Sequence, residues 1–478
     1  MTSAKARSMG GENILDQLVQ IVGNGNVLTS DEDRRVYAYD GTSTWAHEPD
    51  VVVFPTETEH VEAVLQLANQ HQIPVTPRGG GTNLSGGSVP IRGGIALVMT
   101  KMNRILSIEP ENLSARVQAG VVLMDLQAAL AAKNLFFPPD PQSFFGATIG
   151  GMIAENSGGP VCLKYGVTRQ YVLGLRAVLA TGQKIDLGGA TVKNVVGYDL
   201  VSLITGSEGT LAVVTEAVLR LLPLPPARKT IVALFDDLPT AGATVGKIFD
   251  AGTVPAKIEL LDNWVIRSIR RITGMPLPEQ AGAMLIFECD GNESLVEHDA
   301  EQVIGVCRAM GATELIVAKD QEEAQGYWKA RSAGFAAVFG AAPTVLAEDV
   351  TVPRTRMAEF IQRVMEICRN AGLEVTVIGH AGDGNLHPSI MTDEKDPAHF
   401  ERAKRAIDEI IEAAVAFGGV LSGEHGIGLE KQKFMRRTQD PMFLELMKRI
   451  KDVFDPNGIL NPGKIWEDRD AEAAPEGL

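Results

Sequence analysis

Cysteine is scarce and scattered in this chain. The four present, Cys162, Cys289, Cys307 and Cys368, form no C-x-x-C pair, so neither a zinc knuckle nor an iron–sulfur cluster is suggested and they read as reduced core thiols. Basic charge is in deficit: 44 Lys and Arg against 60 Asp and Glu leave a formal charge of −16, which repels nucleic-acid phosphates and anionic lipid alike. Long apolar runs are missing too. No stretch approaches the roughly 20 apolar residues of a membrane span, and the opening MTSAKARSMGGENILDQ lacks the apolar segment of a signal peptide. The expectation is a cytoplasmic protein with no direct membrane span and no nucleic-acid partner. No repeat of fixed period is visible.

What is present is the raw material of a large globular protein. At 478 residues and 45% hydrophobic, the chain should form two or three packed units. Its first half mixes helical and extended patterns: helices over 14–22 and 59–70, strands over 51–55, 95–100 and 115–120. LLPLPPARKT (221–230) reads as a linker. Beyond it, strands at 283–290 and 374–380 alternate with helices near 239–250, 295–310, 354–371 and 397–417, a separate α+β unit. The acidic tail EDRDAEAAPEGL is poor in apolar residues and reads as disordered.

Glycine clusters punctuate the first half. PRGGGTNLSGG (77–87) follows the strand-like IPVT, where backbone N–H groups can wrap an anion because glycine lets the main chain approach closely. A nicotinamide-type fingerprint is excluded, since G-x-G-x-x-G should open a helix and here another strand follows. No G-x-x-x-x-G-K-[ST] occurs either. Taken alone the loop is as compatible with a tight turn as with a pyrophosphate cradle.

Two histidines, His380 and His387, flank a Gly-Asp-Gly turn in HAGDGNLHP (380–388). Fully extended, they would stand roughly 23 Å apart; a reversal at Gly382–Asp383–Gly384 brings them together. Two His ligands plus one acid leave an open coordination position, the arrangement of a catalytic divalent ion. Glu424 in GEHGIG (423–428) is the candidate acid, and the adjacent His425, with an ordinary pKa near 6.5, suits a general base. The alternative is that each histidine hydrogen-bonds locally. The remaining histidines, at 47, 60, 71, 298 and 399, lack such surroundings. Arg331, in WKARSAGF (328–335), is either a surface arginine on a helix or a two-pronged carboxylate ligand.

Three stretches carry a resemblance. PRGGGTNLSGG, ATIGGMIAENSGGP (147–160) and VGYDLVSLITGSEGTLAVVTEAVLRLLP (196–223) are similar, in order and wording, to the FAD-binding domain of the vanillyl-alcohol oxidase and p-cresol methylhydroxylase superfamily. HAGDGNLHP, GEHGIG and DPNGILNPGKI (455–465) narrow this to the FAD-linked D-2-hydroxyacid dehydrogenases, the group acting on glycolate, D-lactate and D-2-hydroxyglutarate. The implied fold class is α+β: an FAD-binding domain of two mixed α/β parts at 1–223, an α+β substrate and metal cap with an antiparallel sheet at 224–454, a return to the FAD domain at 455–467, and a tail at 468–478.

The resemblance also implies roles. Arg78, Gly79, Gly80, Gly81, Thr82, Asn83 and Gly86 would cradle the FAD pyrophosphate. Pro139, Asp140, Thr148, Gly151, Ser157, Gly158, Gly206, Glu208, Gly209 and Val214 would line the rest of the cofactor, and Lys464 either approaches the flavin or is structural. Residues 72–100 hold no histidine, so noncovalent FAD is expected. His380, His387 and Glu424 would bind zinc or a similar ion, His425 would act as base, and Arg331 would grip the substrate carboxylate. Members specialised for D-2-hydroxyglutarate carry a lysine shortly after this arginine, where this chain has Ala347, Glu348 and Asp349. That departure favours a small monocarboxylate such as glycolate or D-lactate, with a longer D-2-hydroxyacid as the alternative. The implied reaction passes a hydride from C2 to flavin N5 and the electrons on to an iron–sulfur subunit, an electron-transferring flavoprotein or a quinone. A homodimer is common in the family. Two rival readings are a metal-dependent hydrolase, which leaves the glycine-rich half unexplained, and a flavoprotein subunit that only relays electrons.

Overall fold

The computed structural model describes residues 12–42 and 44–466. The expected disordered tail therefore lies outside the described residues. By their internal contacts the described residues divide into two compact units: those within 12–157, 167–224 and 424–466 form the first, those within 158–166 and 225–423 the second.

The first unit holds two main sheets. Strands β1 (Val27–Leu28), β2 (Val51–Val53), β3 (Val75–Arg78) and β4 (Ile95–Val98) lie in the order β1-β2-β4-β3, with β2, β4 and β3 parallel. Both faces of β2 and β4 are buried, which is why they read as unbroken apolar runs rather than alternating ones. Helices Glu12–Val22 and Thr58–His71 supply Leu18, Val61, Val64 and Leu65 to the core beneath. Strands β5 (Ile105–Glu109), β6 (Ser114–Gln118), β8 (Val172–Val178), β9 (Lys184–Gly188) and β10 (Val213–Arg220) make an antiparallel sheet, and β7 (Leu135–Phe136) pairs with β11 (Leu222–Pro223).

The second unit is built on one antiparallel sheet of β12 (Ala227–Phe235), β13 (Lys257–Asp262), β14 (Ala283–Gly291), β15 (Glu314–Val317), β16 (Thr344–Ala347), β17 (Val350–Thr351), β18 (Glu374–His380) and β19 (Asn385–Thr392). The order is β15-β12-β14-β13-β18-β19-β16, with β17 on β19. Helices Asn263–Thr273 and Gln321–Phe339 cover one face, packing Val265, Ile266, Tyr327 and Ala330 onto Leu261, Ile286 and Ile378. Asp262 ends β13 and caps the helix that follows, accepting from the Val265 N–H at 3.0 Å while also receiving Thr376 and the Val377 N–H from β18. One carboxylate thus fixes a helix start to its neighbouring strand.

The observed α+β architecture, a bipartite first unit and a second unit with an antiparallel sheet, is the expected one. By internal contacts, 424–466 groups with the first unit and 158–166 with the second. Helices Gln432–Thr438 and Pro441–Phe454 have no composition that betrays which unit they join; contacts such as Lys451 to the Thr210 carbonyl decide it. The proline-rich 221–230 is mostly strand, with β11 and the start of β12 on either side of the crossing at 224.

Candidate functional site

In the first unit the three glycine-rich stretches converge. β3 ends at Arg78, whose guanidinium donates to the Tyr39 carbonyl at 2.7 Å. A Cβ at Gly79 would run into the Thr148 hydroxyl, and one at Gly80 into the Gly146 carbonyl, so backbone meets backbone where side chains would keep it apart. Gly81 and Gly86 take positive φ. Thr82 is half-buried in the same loop, and Asn83 donates to Asp40 at 2.7 Å. Thr148 caps helix Ile149–Glu155 by accepting from the Gly151 N–H at 3.2 Å. The end of that helix then holds the third stretch, because Gly206 and Glu208 donate their N–H groups to the carbonyls of Ile153 and Ala154, each at 2.8 Å. Gly206, Glu208 and Gly209 all take positive φ. Ser157 accepts the Thr168 hydroxyl at 2.8 Å, Val214 is buried in β10, Pro139 is buried and Asp140 half-buried in the loop after β7. Gly158 alone of the expected flavin residues falls in the second unit.

Two expected flavin residues are occupied by the protein itself. Glu208 accepts the N–H groups of Ile427 and Gly428 at 2.8 and 2.7 Å, holding the loop that carries His425. Lys464, 2% exposed, donates to the Val89 carbonyl at 2.5 Å and to Asn461 at 3.2 Å. Burial pushes its pKa down to about 8 against the pull of Asp40, Glu208 and Glu155. Burial raises Glu155 well above the ordinary carboxyl value, and the neighbouring charge of Glu208 adds to the effect. Asp40 carried no motif, and Glu155, though inside the quoted stretch 147–160, was not singled out in it.

In the second unit the sheet register explains the histidine spacing. β18 and β19 form a hairpin with His380 opposite Asn385 and Ile378 opposite His387. Side chains alternate with a period of two, so His380, Ile378 and His387 share a face and the histidines are diagonal neighbours. Their ring centroids are 5.4 Å apart, nearly perpendicular. Both are buried.

Each ring is held through Nδ1 by a group that can only accept. His387 Nδ1 is 3.2 Å from the Glu348 carbonyl oxygen, and His380 Nδ1 is 2.6 Å from a carboxylate oxygen of Glu259. Both Nδ1 atoms therefore carry the hydrogen, an assignment from partner chemistry, which leaves Nε2 as the nitrogen that could hold a metal. Arg331 lies in helix Gln321–Phe339, 4% exposed, with Nε and Nη2 each 2.6 Å from the other Glu259 oxygen. The surface reading of this arginine is thereby corrected: helix and sheet close over it. Burial pushes the Glu259 carboxyl up, but Arg331 and His380 outweigh it and hold the group below its ordinary value.

Asp349, fully buried, accepts from Asn385 at 2.7 Å, Ser422 at 2.5 Å and the Gly423 N–H at 2.9 Å. It thus ties the hairpin to the last residues of the second unit. Glu424 and His425 follow Gly423 directly in the chain, both half-buried, with 4.0 Å between His425 Nε2 and a Glu424 oxygen. Sequence reasoning missed Glu259. Its one signal was an ionisable residue inside the apolar run KIELLD, a placement that calls for a partner. Cys289, Cys307 and Cys368 are buried with thiols pushed up to about 12 by burial, as inert core groups should be. Among the described residues no helix is long and apolar enough to cross a membrane.

Residues 49–199 match the FAD binding domain family and residues 224–465 match the C-terminal domain of FAD linked oxidases. This chain belongs to the FAD-linked oxidases. It is 42% identical over 455 residues to the glycolate oxidase subunit GlcD of Bacillus subtilis (strain 168), covering 95% of this chain and 97% of that one. It is 37% identical over 450 residues to a D-lactate dehydrogenase of Anaerostipes hadrus, covering 92% and 94%. In fold it is similar to p-cresol methylhydroxylase, with a TM-score of 0.79 at 19% identity over 96% of this chain and 98% of that one. The hydrolase reading falls with the family, because it has no use for an FAD domain.

Proposed function

We propose that this enzyme oxidises a small D-2-hydroxy monocarboxylate, of the glycolate or D-lactate class, to the 2-oxo acid with noncovalent FAD and a divalent ion such as zinc. The observation that carries the reading is the hairpin pair: two buried imidazoles with ring centroids 5.4 Å apart, both fixed at Nδ1 so that Nε2 is the nitrogen left to ligate, in a chain with a flavin cradle. The donor set fits an ion. His380 and His387 offer imidazole nitrogens from one hairpin, and Glu424, one peptide bond beyond the loop that Asp349 anchors, offers a carboxylate oxygen. The glycine loop fits FAD, since it is bare backbone through Gly79, Gly80, Gly81 and Gly86, the last two at positive φ, as close approach to a pyrophosphate requires.

When bound, FAD supplies the two-electron hydride acceptor and the divalent ion the Lewis acidity. The protein's own groups do the rest. Arg331 orients the substrate carboxylate, its guanidinium steadied by Glu259. His425 takes the hydroxyl proton at an imidazole nitrogen as the C2 hydrogen leaves with its electron pair. The electrons leave the enzyme through an external acceptor, an iron–sulfur subunit, an electron-transferring flavoprotein or a quinone, and the same reading gives a cytoplasmic address. The 42% and 37% identities to a glycolate oxidase subunit and a D-lactate dehydrogenase support the substrate class.

An anaerobic screen of glycolate, D-lactate, D-2-hydroxyglutarate and longer D-hydroxyacids, following bleaching of the flavin bands with and without a chelator, tests this. Bleaching by a small monocarboxylate, abolished by the chelator and restored by zinc, is expected. A flavin that no hydroxyacid reduces would point instead to an electron-relay subunit.

A further inference from the structure

Glu259 lies on β13 between Ile258 and Leu260 and is fully buried. A carboxylate in such a place is costly unless paired and hydrogen-bonded. It has partners on both sides. The β13–β18 register sets Glu259 directly opposite His380, and one oxygen is 2.6 Å from His380 Nδ1 while the other is 2.6 Å from Arg331 Nε and Nη2. An ion pair serving stability alone would need only the arginine. Here the second oxygen is spent on the one ring atom whose hydrogen decides which nitrogen can bind a metal.

We infer that Glu259 is a positioning residue that holds the Nε2-ligating tautomer of His380 with one oxygen and the guanidinium of Arg331 with the other, so that metal ligand and carboxylate-binding group move as one. The inference rests on the function proposed above and adds a named group to it. Two of its consequences are separable. Loss of the carboxylate charge leaves His380 without its fixed tautomer and weakens metal binding; it also frees Arg331 to shift, which weakens substrate binding. Neither effect reaches the flavin cradle, which is built from the first unit.

The test uses the full-length, flavin-loaded enzyme and zinc itself as probe, with affinity read by competition against a chromophoric chelator and KM and kcat read separately. Glu259→Gln is nearly isosteric, and unchanged flavin absorbance reports that it has folded. The expected result is zinc affinity lower by roughly 10–100-fold, the range for loss of a group that orients a metal-bound histidine, together with a raised KM. A double variant, Glu259→Gln with Arg331→Met, also removes the guanidinium that faced the carboxylate and should keep the weakened zinc affinity. Wild-type zinc affinity and KM in Glu259→Gln would overturn the inference while leaving the proposed function standing. Affinity restored in the double variant would also overturn it, since the loss would then come from the stranded arginine charge. A wild-type enzyme that reduces its flavin with a hydroxyacid yet binds no zinc would remove the metal from the proposed function and this inference with it.

Discussion

At the scale of single residues, this protein places charge where there is little water. Lys464 is 2% exposed, and its pKa near 8 lies below the ordinary 10.5 because desolvation disfavours the ammonium more than Asp40, Glu208 and Glu155 favour it. Between about pH 8 and 10.5 the unfolded chain holds a proton on this residue that the folded chain does not, so this group adds stability as pH rises through that window. Replacing Lys464 by Met should flatten that part of the curve, as denaturant midpoints at the two ends will show; parallel profiles for both proteins would contradict it. His425→Ala belongs to the same scale. Removal of a general base should lower kcat by about 10²–10⁴-fold, with flavin content near wild type, and a fully active variant would deny His425 the role of base. His380, His387, Glu424 and His425 were readable as types of residue at suggestive spacings. Glu259 was missed, because its one local signal, an ionisable residue in the apolar run KIELLD, does not say which groups it meets until the sheet is assembled around it.

At the scale of elements, the β18–β19 hairpin turns a spacing of seven into a ring separation of 5.4 Å. Gly379 makes the close pairing possible: a Cβ there would meet the Asn385 carbonyl and come within 2.8 Å of the Leu386 Cα. Gly379→Ala should splay the hairpin, at a cost of about 1–3 kcal/mol by overpacking, and weaken zinc binding more than flavin binding. Intact zinc affinity in that variant would show that the pairing tolerates the methyl group. Gly80→Ala probes the other site. Its Cβ would press on the Gly146 carbonyl, so the purified protein should carry markedly less FAD, measured by the ratio of flavin to protein absorbance. Helices and strands with strong periodicity were legible to within a few residues; the pairing partner of each strand was not, since an alternating pattern gives the face of a strand but not its neighbour.

At the scale of the whole molecule, the chain leaves its first unit and comes back to finish it. Residues 455–466 are part of that completion: Val75 donates to the Ile459 carbonyl at 2.8 Å and Asn461 to the Val75 carbonyl at 2.8 Å, while Ile459 and Leu460 lie in the core under β3 and β4. A chain ended at Phe454 should therefore lose thermal stability and bind FAD poorly, although every glycine of the cradle is still present. Wild-type melting and flavin content in the truncated protein would show that the return is dispensable.

The sequence by itself determined the chemistry available: three glycine-rich stretches that only a closely approached ligand or tight backbone packing requires, two histidines about a turn, a glutamate and a histidine between glycines, and a net charge of −16. Tertiary structure decided which nitrogen each histidine presents, that Arg331 and His380 share one buried carboxylate, and that the chain rejoins its first unit at Glu424. The reason is physical. Residue type and spacing are properties of the chain, whereas a tautomer, a buried ion pair and a domain boundary depend on strand register and on the exclusion of water, which arise only when distant segments pack together.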